Sequence, residues 1–136
     1  MKLTLTALTV AASLMASGAS AFDPAHLQKL KDTNECMACD LTGANLNRQI
    51  LLETNLSGAD LSGADLSGAA LLEATLIEAN LSGANLSGAL MFEVDLTDAD
   101  LIGADLTGAD LSGTDLGRVT MKGVILCNTT MPDGSV

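Results

Sequence analysis

Residues 59–68 read Ala59-Asp60-Leu61-Ser62-Gly63-Ala64-Asp65-Leu66-Ser67-Gly68, one five-residue phrase written twice. From Cys39 to Asp133 the phrase recurs as nineteen consecutive pentapeptides without insertion or deletion, and every central residue, from Leu41 to Met131, is Leu or Met. Two places before each centre the residue is usually Ala; Asp or Asn commonly precedes the centre, Ser or Thr follows it, and Gly often closes the unit. Period five suits neither regular element. On an α-helix successive Leu would rotate by about 140° and smear around the surface. On a flat strand odd spacing would send alternate Leu to opposite faces. Gly in about every second unit would also weaken a helix interior. A chain that turns one corner per unit satisfies the pattern, because every Leu then points to a common axis.

Units such as Ala59-Asp60-Leu61-Ser62-Gly63 resemble the A-(D/N)-L-x-x signature of the pentapeptide-repeat family. The resemblance implies an all-β fold, a right-handed quadrilateral β-helix with four units per coil and the central Leu and the small residue two before it facing inward. Nineteen units make nearly five coils, a rod on the order of 23 Å long at ~4.8 Å per coil. Residues twenty apart then stack, so Leu41, Leu61, Leu81 and Leu101 form one core column and Leu46, Leu66, Leu86 and Leu106 another. The outward Asp60, Asn80 and Asp100 alternate charge and neutrality down one column, which eases repulsion between coils.

The composition agrees with a repeated small geometry. The chain is 48% apolar, yet it has no Trp, no Tyr and two Phe, so each layer is filled with Leu and Ala. Residues 1–21 carry the marks of an export leader: Lys2, an apolar stretch from Leu3 to Met15, and the small-x-small pattern Ala19-Ser20-Ala21. Cleavage there would start the mature chain at Phe22 and leave it periplasmic or extracellular. No Cys follows the cleavage region, and no later segment is continuously apolar enough to span a membrane, so no membrane insertion is expected after leader removal. Loss of Lys2 moves the formal charge from −11 to −12, a surface that repels nucleic acid and anionic lipid.

The ends of a solenoid must be covered. Residues 22–38 are read as an N-terminal cap, with Asp23 as N-cap, Pro24 at the first helical position, and a short helix to about Lys31 that presents Leu27 and Leu30 to the coil. Gln49 falls at an inward corner of the first coil and is expected to hydrogen-bond the lid or first turn. Residues 39–133 form the repeat and 134–136 a tail, so the last coil (Leu116, Met121, Leu126, Met131) is expected to present a bare apolar end.

Cys36-x-x-Cys39 invites metal and redox readings, but zinc wants four ligands and His26 is the only imidazole. Thioredoxin-like chemistry wants the pair at a helix N-terminus in an α/β domain. The favoured reading is a structural disulfide between Cys36 and Cys39, or Cys39 packed inward, in an oxidising compartment. Cys127 lies about four coils away, on the order of 20 Å and beyond disulfide reach of either. One His on a short cap, read as a surface residue, supports no nucleophile–base pair, so no catalytic residue, metal or cofactor is assigned.

The residues that break the repeat outward mark a candidate interface. On one face, Ile50, Leu52, Leu72, Leu90 and Phe92 flank the inward centres, and Ile77 continues them around the next corner. The strip is on the order of 500 Å². Beside it Glu53, Glu73 and Glu93 make a like-charged column in which each adjacent pair costs about 1 kcal/mol in water. The chain is therefore expected to be a non-catalytic exported scaffold. Its strip would meet a protein partner with a cationic rim, a second copy of itself, or its own N-terminal segment. Two alternatives are carried. Some acidic members of the family resemble duplex DNA and inhibit DNA topoisomerases, which makes a DNA mimic the first. A thiol-redox protein using Cys36 and Cys39 is the second.

Overall fold

The computed structural model describes residues 22–136; the leader read at 1–21 lies outside them. A ten-residue helix, α1 (Pro24–Thr33), is followed by a coil in which parallel β-bridges join residues twenty apart, such as Asp60 with Asn80 and Asn80 with Asp100. Four pentapeptides therefore complete one coil. Each side contributes one bridged residue per coil and nowhere lengthens into a continuous strand among the described residues. The fold is β in its hydrogen bonding more than in its strand content.

Most units turn their corner in the same way. The Ala64 N–H donates to the Leu61 carbonyl at 3.0 Å, closing a β-turn whose third residue, Gly63, has φ +64°. A positive φ at that place is what a type II turn requires, and Gly reaches it without strain. The residue before the centre adds a second bond. The Ser62 amide and hydroxyl both donate to Asp60 Oδ1, at 3.0 and 2.6 Å, and Asn80 serves Ser82 in the same way. The recurring Asp/Asn is thus a turn brace. These bonds hold the Asp60, Asp65 and Asp110 carboxyls below their ordinary range, the hydroxyls of Ser62, Ser67 and Ser112 being the largest cause.

Between coils, the N–H of each centre donates forward, as Leu61 to the Asn80 carbonyl at 2.7 Å, while Asp60 donates back to the Cys39 carbonyl at 2.9 Å. This brings Leu41, Leu61, Leu81 and Leu101, and likewise Leu46, Leu66, Leu86 and Leu106, into fully buried columns. Ala59, Ala64 and Ala69 are also fully buried at the corners. No side chain larger than these recurs inside, which accounts for the near absence of aromatics.

The ladder reaches one unit nearer the N-terminus than a boundary at Cys39. Glu35 bridges Asn55, and Cys36 N–H donates to the Asn55 carbonyl at 2.8 Å. Cys36 takes the place that Leu56, Leu76 and Leu96 fill in later coils, and Cys39 the place of Ala59, Ala79 and Ala99. The column Glu35, Asn55, Thr75, Asp95, Asp115 accordingly has a residue in each of five coils.

Asp23 caps α1 by accepting from the Ala25 amide at 2.8 Å; Asn34, in the left-handed region at φ 59°, ends it two residues beyond Lys31. Leu30 is buried against the first coil, with Leu27 and Phe22 packed beside it. His26 is more than a surface residue of the lid. Its Nδ1 accepts the Asp40 N–H at 2.9 Å, filling the place that a preceding coil's carbonyl would take. Gln49 does not bond the lid as expected: it is exposed. The equivalent Ala69 and Ala89 are buried because a coil lies on either side of them, whereas Gln49 sits in the first coil and its amide reaches water.

Two outcomes follow from this construction. Leu81→Ala, which hollows the middle of a column, lowers stability by about 2–5 kcal/mol, read from a urea transition. The braced carboxyls have folded pKa values below the ordinary carboxylate range, so the unfolded chain binds protons more tightly. The stability they contribute is fully present above about pH 4 and is lost as pH falls through the folded values. Asp60→Asn with Asp65→Asn keeps the accepting oxygen and removes the titration, so its acid-unfolding limb is shallower than that of the unaltered protein.

Candidate functional site

The face carrying units 49–53, 69–73 and 89–93 departs from the others at three places in each unit. The turn brace is missing first. Asp40, Asn45, Asn55, Asp60 and Asp65 all accept the amide two residues on, but Ile50, Ala70 and Leu90 occupy that place here and have no oxygen to offer. Lower on the same face the brace resumes, with the Ser112 amide donating to Asp110 at 2.9 Å. On this face the interruption spans three consecutive coils; Ile125, on another face, also lacks the accepting oxygen. Each forgone bond is worth about 0.5–1.5 kcal/mol.

The outward residues that flank the centres come second. Ile50 is 74% exposed, and Leu52, Leu90 and Phe92 are exposed as well. Leu72 and Ile77 are half-buried, less open than a uniform strip would make them. Leu72 has Leu52 on one side and Phe92 on the other, one coil away each, so its flanks are covered by the strip's own side chains. Ladder bonds from Glu53 N–H to the Leu72 carbonyl and from Glu73 N–H to the Phe92 carbonyl, 2.9 and 3.0 Å, hold the three coils in register.

The third departure is the turn itself. Glu53, Glu73 and Glu93 stand where most units have Gly, at φ 52°, 57° and 54°. A left-handed residue with a Cβ costs roughly 1–2 kcal/mol relative to Gly. Glu78, at φ 56°, adds a further carboxylate at the corner beside Ile77. The column stops at Gly113, where an added Cβ would lie 2.9 Å from the Glu93 side chain.

The other candidate sites hold less chemistry. Cys36 and Cys39 are joined in a disulfide, and both are buried. The pair follows the C-terminal end of α1, away from the helix N-terminus that lowers a thiol's pKa, and the bridge joins the first centre position of the ladder to the first corner. Among the described residues no group of three or more His, Cys, Asp and Glu side chains is placed to hold a metal ion. Cys127 is an exposed free thiol on the last coil. A shallow depression lined by Thr97, Asp115, Gly117 and Arg118 lies near the same end, but its guanidinium is engaged by Asp98, with Nε donating to Oδ1 at 2.9 Å, and holds that carboxyl below its ordinary range. Sequence reasoning did not find this ion pair, although Asp98 and Arg118 are twenty residues apart and so stack.

Among the described residues no helix is long and apolar enough to cross a membrane. No curated protein matches the chain in sequence. Among solved structures, the pentapeptide repeat protein Rfr23 from the cyanobacterium Cyanothece 51142 is 28% identical over 82% of this chain and 96% of its own, with a TM-score of 0.48. HetL, a pentapeptide repeat protein involved in heterocyst differentiation regulation in Nostoc sp. strain PCC 7120, is 32% identical over 75% of this chain and 55% of its own, with a TM-score of 0.31. A pentapeptide repeat protein of the Arabidopsis thaliana thylakoid lumen is 30% identical over 67% of this chain and 61% of its own, also at 0.31. The model of pentapeptide repeats matches in eight copies whose segments run from 39–71 to 95–131. With the twenty-residue ladder and the buried Leu columns, that match makes the chain a member of the pentapeptide-repeat family.

Proposed function

We propose that this protein is a non-catalytic exported scaffold, a right-handed four-sided solenoid that docks a partner protein on the face bearing Ile50, Leu52, Leu72, Leu90 and Phe92. One observation carries the reading. For three consecutive coils this face gives up the turn brace and the glycine corner that stabilise the repeat elsewhere, and it sets apolar side chains and carboxylates in their place. Both exchanges run against folding stability, and an apolar strip rimmed by charge is what a protein interface needs. The Glu53, Glu73 and Glu93 column asks for Lys or Arg on the partner's rim, which would relieve the repulsion among them. The apolar leader pattern and the Cys36–Cys39 disulfide support an oxidising, exported setting.

Two variants test the strip from opposite directions. Leu72→Lys with Phe92→Lys preserves the far-ultraviolet circular dichroism and abolishes capture of the partner from periplasm or culture medium; unchanged capture refutes the assignment. Glu73→Gly raises stability by about 1 kcal/mol in a urea transition, because the corner reverts to the residue it favours, and it weakens partner binding. Inhibition of gyrase supercoiling at stoichiometric protein would instead favour the DNA-mimic reading.

A further inference from the structure

The docking face carries a feature that apolar contact alone would not use. In a braced unit the N–H two places after the brace residue is spent on it; lower on this same face the Ser112 N–H donates to the Asp110 carboxylate at 2.9 Å. In the three coils above, Ile50, Ala70 and Leu90 offer no oxygen. Among the described residues no hydrogen bond receives the N–H of Leu52, Leu72 or Phe92. Their carbonyls, by contrast, are spent. Those of Leu72 and Phe92 accept from Glu53 and Glu73 at 2.9 and 3.0 Å, and that of Leu52 accepts from Asn34 Nδ2 at 2.9 Å. The face therefore presents a row of outward donors, one per coil, set among apolar side chains.

These donors restrict what can cover the strip. A partner offering only apolar surface would bury the amides without acceptors, which cancels the gain from burial. A second copy meeting through the same face brings none, because the carbonyls of Ala70, Leu72, Leu90 and Phe92 are already in the ladder, and it doubles the charge of the Glu column. An α-helix bonds its carbonyls within itself. A β-strand has free carbonyls, but those on one side recur at about 6.7 Å, against about 4.8 Å per coil. A polyproline-II chain has every carbonyl free and repeats in three residues, about 9.3 Å. Two coils span about 9.6 Å, so carbonyls three residues apart reach the Leu52 and Phe92 amides together. Between these heights Ala70 stands in the column of Ile50 and Leu90, leaving a notch for an intervening side chain.

Charge selects the rest. Glu53, Glu73 and Glu93 line one edge and take no part in the ion pairs among the described residues, His26–Asp23 and Arg118–Asp98. The corner row on the opposite edge is Arg48, Gly68 and Gly88, and a Cβ added at Gly88 would meet nothing within 4 Å. We infer that the strip binds an extended, proline-rich segment of a partner protein, lying in polyproline-II conformation along the solenoid axis with Lys or Arg turned toward the Glu column. The inference rests on the docking face proposed above and names what that face holds.

The test titrates the purified protein with a labelled synthetic peptide of about nine residues, three polyproline-II turns, with Pro at every third place and Arg on one flank. The peptide is expected to bind, and to move the amide proton resonances of Leu52 and Phe92 downfield while that of Ser112, already bonded, stays in place. Ala70→Asn fills the notch and gives Leu72 the brace that Asn80 gives Ser82. It is expected to weaken binding about tenfold without lowering the melting temperature. Asp60→Asn with Asp65→Asn removes charge away from the strip and is expected to leave the affinity unchanged. Equal binding of an Ala-based helical peptide with the same Arg content, unmoved Leu52 and Phe92 amides, full binding by Ala70→Asn, or weakened binding by the Asp60 and Asp65 changes overturns the inference. So does a doubled mass by light scattering that Leu72→Lys with Phe92→Lys abolishes, which would assign the strip to a second copy. The docking face itself survives each of these results and falls only if that strip variant still captures its partner.

Discussion

The whole molecule depends on one hydrogen bond repeated along the chain, from the N–H of most central residues to a carbonyl nineteen residues ahead. Leu61 to Asn80, Leu66 to Asn85 and Leu71 to Leu90 are successive instances, at 2.7, 2.7 and 2.8 Å. The bond fixes a coil at four units and so decides which residues share a face. A corner that takes a positive φ once per unit makes it possible, and an inward side chain small enough to let the corner close keeps it tight. Where that corner residue is Val the turn loosens: the amides of Val94 and Val119 stand 3.4 Å and that of Val124 3.3 Å from their turn carbonyls, against 3.0 Å for Ala59 and Ala64.

From that constraint the division of labour among positions follows. Centre and corner residues answer to packing, and any Leu, Met or Ala that fills the column will serve. The brace position answers to the turn and accepts Asp or Asn, which is why acidity accumulates without any acid needing a partner. Only the outward residues that serve neither purpose are free to report on function. Three coils of one face are where such residues gather.

Much of this was legible in the sequence. The five-residue period excludes helix and flat strand from Leu41, Leu46 and Leu51 alone, and spacing by twenty collects Ile50, Leu52, Leu72, Leu90 and Phe92 on one face. The first unit was hidden because Cys36 replaces the Leu that marks a centre; only its bond to Asn55 reveals the register. His26 gave no signal, since its value lies in a vacancy left by a missing coil rather than in any motif. Gln49 misled for a related reason: no preceding coil lies over its corner of the first coil, and it is exposed there, whereas Ala69 and Ala89 below it are buried. The cost of the strip was also invisible, because the brace it lacks becomes apparent only when the bonded turns stand beside it.

The claim that Leu side chains converge because the backbone bends a quarter turn per unit is open to a direct check by nuclear magnetic resonance. With methyl groups labelled in Leu61, Leu66 and Leu81, the account predicts a strong nuclear Overhauser effect between Leu61 and Leu81, which sit in adjacent coils of one column. Helical amide-to-amide effects running through residues 59–68, with none between the Leu61 and Leu81 methyls, would contradict it.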